Sequence, residues 1–322
     1  MPTFTYSNPR VIHWGAGSVA KLRELDAKSI AVVTTRSLRD HLDRLPITAS
    51  CVVVIGQHAP MSQIDEGVRV ARGADAVVSF GGGSPIDAAK IIALRLGGVP
   101  HTAVPTTLSV AELAAGAGYT SEQGDKAGMR DAGLMPSAVI YDAELTLATP
   151  MELWLSTGIR ALDHAVEGFL AEGEHPFNDV MALEAIRRLF DSLPRAKAAP
   201  GNVGVRTENQ LAAWFSFTLP GASAAGLSHT MGKQVGARHG IPHGVTSCLL
   251  LPHVMRYLGA TMADRAARLP TPDDVYELIG ALGLPQHIAK YGIGESELRR
   301  AASELAGKYP PEDLLGIYLS AL

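Results

Sequence analysis

Cysteine is almost missing from this chain: of 322 residues, only Cys51 and Cys248 carry a thiol. Two distant cysteines build neither a disulfide framework nor a zinc-finger spacing, and a reducing cytoplasm is the expected compartment. Strong charge of either sign is also lacking. A formal charge of -4 and a pI near 6.3 leave no electrostatic footprint for nucleic acid or an anionic membrane surface. No apolar run approaches the length of a membrane-spanning helix, and the opening MPTFTYSNPRV has no basic segment followed by an apolar one, so neither export nor membrane insertion is expected. Internal repeats, low-complexity tracts and the GxGxxG fingerprint are absent as well. What is present is ordinary globular composition, 47% hydrophobic and 19% charged, long enough for two domains and pointing to a small molecule as partner.

The most informative stretch is Val77–Lys90, VVSFGGGSPIDAAK, which reads as buried strand, glycine turn and helix start. Gly81, Gly82, Gly83 and Ser84 let the backbone turn sharply and approach a ligand closely. Pro85 suits a first helical turn and Asp87 complements the dipole there. Unpaired amides at such a helix start hold anions, so a diphosphate is the natural guest. Further strands are predicted at Thr3–Tyr6, Val11–Trp14, Ser29–Thr34, Cys51–Ile55, Thr102–Val104 and Ala138–Tyr141, with a hairpin or loop over Thr120–Arg130. Thr35 and Arg36 stand where a first strand-to-helix loop emerges, the place of an adenosine ribose or a 2′-phosphate in a dinucleotide fold. Thr106 and Thr107 follow a strand end and are expected to line the same crevice.

From residue 150 the texture becomes helical: Trp154–Ala171, Asn178–Leu193, Thr207–Phe217, Ala222–Ala237, Leu249–Gly259, Pro272–Leu282 and Ser296–Ala306 show helical apolar periodicity, with 194–201 a linker. The expected organisation is therefore an α/β dinucleotide-binding domain with a mostly parallel sheet over 1–150, and an all-α domain for substrate and catalysis over 151–322. The helical part places cations and imidazoles on shared faces: Arg160 with His164, and His229 with Lys233, each four apart. His239 and His243 share that spacing, but Gly240 and Pro242 make their segment a loop.

FGGGSPIDAAK (80–90), PTTLSVAE (105–112), KAGMRDAGLMPSAVIYDAELTLATP (126–150), STGIRALDHAVEG (156–168) and GLSHTMGKQVGARHGIPHG (226–244) together resemble the iron-containing alcohol dehydrogenase family, within the dehydroquinate synthase-like fold and especially its maleylacetate reductase branch. The resemblance implies an oxidoreductase that takes NAD or NADP. Gly81, Gly82, Gly83 and Ser84 would hold the diphosphate and Asp87 the nicotinamide ribose. Thr106 and Thr107 would line the adenine side, with Lys126 and Leu145 at further contact positions. Thr35 stands where relatives often carry a ribose-binding aspartate. His164, His229 and His243 fall on three histidine positions of the family's metal site, but Arg160 replaces its aspartate, and a guanidinium repels a cation rather than binding it.

No metal is therefore expected. Arg160 would bind a substrate carboxylate bidentately, Lys233 would supply a charge or proton, and a histidine would act as general acid. The implied activity is reduction of an unsaturated or oxo carboxylic acid, by a protein expected to be a cytoplasmic homodimer. Alternatives stay open here: a non-redox cyclase, isomerase or lyase using the same cationic pocket, a sensor without turnover, or an Arg160 turned away to pair with Glu167 or another acid.

Overall fold

The computed structural model describes residues 8–218, 226–305 and 307–322. The strand expected at Thr3–Tyr6, the start of the helix expected at Ala222, and Ala306 lie outside them. The chain divides into two compact units, one extending to Pro150 and including Ala199–Trp214, the other comprising Met151–Ala198 and Phe215–Leu322.

The first unit is built on strands β1 (Val11–Trp14), β2 (Ile30–Thr34), β3 (Cys51–Val54), β4 (Ala76–Gly81), β5 (His101–Pro105) and β8 (Ala138–Tyr141), with helices α1 (Met61–Val70) and α2 (Gly83–Arg95). These six strands form one sheet, ordered β1-β8-β5-β4-β2-β3, in which every pairing is parallel. β2, β4 and β5 are buried along their whole length, as strands of a parallel sheet covered on both faces are. Alternation divides their side chains between two cores. Ala31, Val33 and Val77 pack with Ile64, Ala88, Ala89 and Ile92, while Ile30, Val32, Val78 and Phe80 pack with Leu22, Leu38 and Leu145. The polar stretch 116–130 is an antiparallel hairpin of β6 (Gly116–Thr120) and β7 (Lys126–Arg130).

In chain order, β3 lies on one side of β2 and β4 on the other, so the strand order reverses between β2 and β4. Ligands of open α/β sheets bind outside the carboxyl ends of strands at such a point. Thr35 follows β2 and the glycine turn follows β4, and Thr34 Oγ1 donates to Phe80 O at 2.8 Å across the two strand ends.

Within the same unit, Glu112 is buried, with Tyr141 Oη donating to its Oε1 at 2.8 Å. Burial pushes this carboxyl up to about 6, against the pull of Tyr141 and Lys90. A folded value above the ordinary 4.5 means that the stability linked to this group is present below pH 4.5 and is lost as pH rises through about 6. Glu112→Gln, which cannot ionise, is expected to gain about 2 kcal/mol on the parent between pH 4 and pH 7.5. Urea unfolding of both proteins at both pH values measures this. A difference that does not change with pH rejects it.

The second unit is helical: α3 (Met151–Phe169), α4 (Pro176–Ala198), α6 (Leu227–His239), α7 (His243–Thr261), α8 (Ala263–Ala266), α9 (Pro272–Ala281), α10 (Glu295–Glu304) and α11 (Pro311–Ser320). Leu227, Met231 and Val235, at helical spacing, pack with Leu249, Leu298 and Tyr318 in its core. None of the described helices is long and apolar enough to cross a membrane.

Three local expectations are corrected. α4 runs through Pro194 to Ala198, where a linker is expected, because Leu193 and Ala196 are buried and their packing outweighs the proline. α5 (Val203–Phe215) lies almost wholly within Ala199–Trp214 and so groups with the sheet, not with the helices around it in sequence. Arg206 on α5 donates to the carbonyls of Pro200 and Thr146, both at 2.8 Å. Finally, His243 is not in a loop. Pro242 caps α7 and His243 opens it.

Candidate active site

The expected site residues fall into two sets, one in each unit. In the first unit, β4 delivers Gly81 and Gly82 to the start of α2, whose N-terminus has no side-chain cap. Gly81 has φ +151°, and a Cβ there would meet Pro85 at 2.6 Å. A Cβ on Gly82 would lie 2.9 Å from Thr107 Cγ2, and one on Gly83 3.4 Å from Ser109 Oγ. Thr107 Oγ1 and Ser109 Oγ are buried without a hydrogen-bond partner among the described residues. Two orphaned hydroxyls beside an uncapped helix start and a glycine cradle fit an anionic group such as a diphosphate.

The other residues expected around a dinucleotide have structural partners. Thr106 N–H donates to Gly81 O at 2.9 Å and Thr106 O accepts from Thr149 Oγ1 at 2.7 Å, locking the loop after β5 to the end of β4. Ser84 Oγ accepts from His58 N–H at 2.9 Å. Asp87 Oδ2 accepts from Gly118 N–H at 3.0 Å, tying α2 to β6. Lys126 is exposed, with its Nζ 3.0 Å from Thr120 Oγ1. The Leu145 side chain is buried in the sheet core. Thr35 is half-buried, its hydroxyl 3.1 Å from that of Ser37.

In the second unit, α3, α6 and α7 bring the three histidines together. The His164 and His229 rings lie 5.7 Å apart and those of His229 and His243 5.0 Å apart, with Phe217 edge-on to His164 at 5.0 Å. Gly244 permits this: a Cβ there would come within 2.8 Å of the Ser156 carbonyl, so only glycine lets the first turn of α7 approach α3. Lys233 is exposed one turn beyond His229.

Arg160 pairs with an acid, one of the arrangements the sequence left open, and the acid is Asp163. Its guanidinium is 2% exposed, and Nη1 donates to Asp163 Oδ2 and Ser247 Oγ, both at 3.0 Å. The Nη1 donors are thus spent within the protein, and Nη2 is buried without a partner among the described residues. Asp163 Oδ2 also accepts from Ser228 Oγ at 3.0 Å and Ser247 Oγ at 2.6 Å. Burial pushes the Asp163 carboxyl up, and Arg160 and the two serines oppose that rise. One helical turn on, Glu167 accepts from the N–H groups of Gly226, Ser228 and His229, so an acid from α3 caps the start of α6. Burial, with the Asp163 charge beside it, holds Glu167 well above the usual carboxylate range.

Ser228 and Ser247 are absent from the sequence expectations, and Asp163 comes up from the sequence only as a substitute for the missing metal-binding aspartate and is set aside, not as the partner of Arg160. The Arg160–Asp163 spacing of three on one helix is the signal that could have found that pairing. The serines, 65 and 84 residues from Asp163, carry no such signal. Sequence reasoning also leaves out Ser109.

Residues 9–143 match the family model described as iron-containing alcohol dehydrogenase, and residues 154–309 the one described as Fe-containing alcohol dehydrogenase family, C-terminal. The chain belongs to the iron-containing alcohol dehydrogenase family and is an oxidoreductase. Within that family its likeness runs to maleylacetate reductases. That of Rhizobium sp. (strain MTP-10005) is 31% identical over 328 residues, spanning 96% of this chain and 93% of the relative. That of Sphingobium indicum is 35% identical over 263 residues, spanning 79% and 74%. The crystal structure of maleylacetate reductase from Agrobacterium tumefaciens matches with a TM-score of 0.88 at 29% identity, covering 100% of this chain and 99% of that one.

Among the described residues, no group of three or more His, Cys, Asp or Glu is placed to hold a metal ion. Arg160 brings a cation into the set; its neighbour Asp163 takes three donors on Oδ2, while Oδ1 has no partner among the described residues.

Proposed function

We propose that this chain is a metal-independent NAD(P)H-dependent reductase of an unsaturated or oxo carboxylic acid, with maleylacetate as the first candidate substrate. The observation that carries the reading is Arg160, a buried cation on the helix of His164, at the position where the family resemblance implies a metal-binding aspartate. The maleylacetate reductases similar to this chain support the same class.

The cradle of Gly81–Ser84, with the hydroxyls of Thr107 and Ser109, holds the diphosphate of the dinucleotide. When bound, the reduced nicotinamide supplies the hydride. Arg160 stabilises the negative charge that develops on the oxo group or enolate of the acid, acting through its unpartnered Nη2 and through the field of its charge. Lys233, exposed on the face of His229, attracts the acid's carboxylate. His229 Nδ1 is buried without a partner among the described residues, and is the ring atom best placed to hold the proton that completes reduction.

The test is a titration of chelator-treated protein with NADH and NADPH, followed by nicotinamide fluorescence, and then turnover of maleylacetate and related oxo acids. Saturable binding and turnover without metal are expected. Turnover that appears only on adding iron or zinc rejects metal independence. Failure to bind either dinucleotide at millimolar concentration rejects the redox reading.

A further inference from the structure

Lys90 is a fully buried ammonium that none of the preceding chemistry uses. It lies on α2, two turns beyond Gly83, and its Nζ donates to three backbone carbonyls: Ala111 O at 2.5 Å, Ala114 O at 2.7 Å and Gly116 O at 2.8 Å. An ammonium has three protons, and all three are spent on one short segment. Asp87 Oδ1, 3.7 Å away, and the buried Glu112 provide the compensating charge.

The gripped segment begins immediately after a strained corner. Val110 has φ 57° and ψ 15°, a left-handed conformation that a β-branched residue adopts only where its surroundings over-determine it. On the other side of that corner stand Ser109 and Thr107, whose buried hydroxyls lack partners among the described residues. The loop also packs on the glycine turn: a Cβ on Gly83 would lie 3.4 Å from Ser109 Oγ and 3.8 Å from Ala111 Cβ. Helix α2 thus carries the anion-binding turn at its start and, two turns later, the ammonium that anchors the facing loop.

We propose that Lys90 is a positioning residue for the dinucleotide: by holding the carbonyls of 111–116 it enforces the left-handed corner at Val110 and aims the Thr107 and Ser109 hydroxyls at the Gly82–Gly83 turn. The proposal rests on the dinucleotide reading of that turn. It differs from simple support of the fold, because it routes the effect of Lys90 through the strain at residue 110. Glycine at 110 adopts the same conformation without strain.

The experiment measures NADH and NADPH dissociation constants by nicotinamide fluorescence for the parent, Lys90→Met, Val110→Gly and the double variant, with circular dichroism melting of each. Lys90→Met is expected to raise the dissociation constant at least roughly tenfold through lost preorganisation. Val110→Gly alone is expected to leave it within about twofold, and in the Lys90→Met background to recover at least about threefold. Parent-like affinity in Lys90→Met overturns the proposal while leaving the dinucleotide reading intact. A loss that Val110→Gly does not relieve also overturns it, since Lys90 then acts through charge or general stability alone. Where Lys90→Met does not fold, Lys90→Arg, which keeps the charge but displaces the loop, is read against the same thresholds. Absence of binding in the parent is a separate result and defeats the underlying reading.

Discussion

Asp163→Ala is expected to lower the unfolding free energy by about 3–5 kcal/mol, the range for removing one partner of a buried ion pair. The size follows from burial: the Arg160 and Asp163 side chains are 3% and 0% exposed, so the guanidinium would be left charged in a site that water does not reach. Arginine does not escape by losing its proton. Replacing both partners, as Arg160→Met with Asp163→Leu, is expected to recover most of the loss, because no unpaired charge remains. Urea unfolding of the single and double variants decides the matter. Equal destabilisation would mean that the pair does not act as a unit, and the assignment of Arg160 as a cation held in place by Asp163 would fall.

Gly82→Val should abolish dinucleotide binding at ordinary concentrations without unfolding the chain. At φ -85° and ψ -156° the backbone of residue 82 is extended and accessible to any residue, so the effect is one of space. A Cβ already meets Thr107 Cγ2 at 2.9 Å and Oγ1 at 3.1 Å; valine's two methyls would fill the cradle and push the Thr107 hydroxyl away. Loss of one or two charge-assisted hydrogen bonds corresponds to roughly a hundredfold in dissociation constant. Fluorescence titration with the nicotinamide dinucleotides gives the answer. Affinity within threefold of the parent would place the diphosphate elsewhere.

The family is named for iron; in the reading proposed above, a side chain, Arg160, carries the positive charge instead. A guanidinium cannot exchange with solvent ions, so its presence is a property of the folded chain and does not depend on the metal supply. Its orientation nevertheless depends on Asp163, Ser228 and Ser247, three residues that touch no proposed ligand atom.

The parallel sheet, the glycine turn after β4 and the helical second half were legible in the sequence because each is encoded by neighbours in the chain. Apolar runs such as Ile30–Thr34 and Ala76–Phe80 bury on both faces, three glycines before a proline and an aspartate make a strand-to-helix turn, and a spacing of four puts two side chains on one helical face. The likeness of several motifs in one order to a known family added the expected cofactor and the histidine set. What only the tertiary structure decided is which partner each polar group takes. Arg160 could have faced a ligand, Glu167 or Asp163; the arrival of Ser247 on α7 and Ser228 on α6 settled it on Asp163. The same holds for α4, which keeps its helix through Pro194 because its neighbours bury Leu193 and Ala196, and for His243, which joins a helix because Gly244 lets α7 close on α3. Local pattern reports on the chain's own periodicity, whereas hydrogen-bond partners and close approaches depend on segments brought together from tens of residues away.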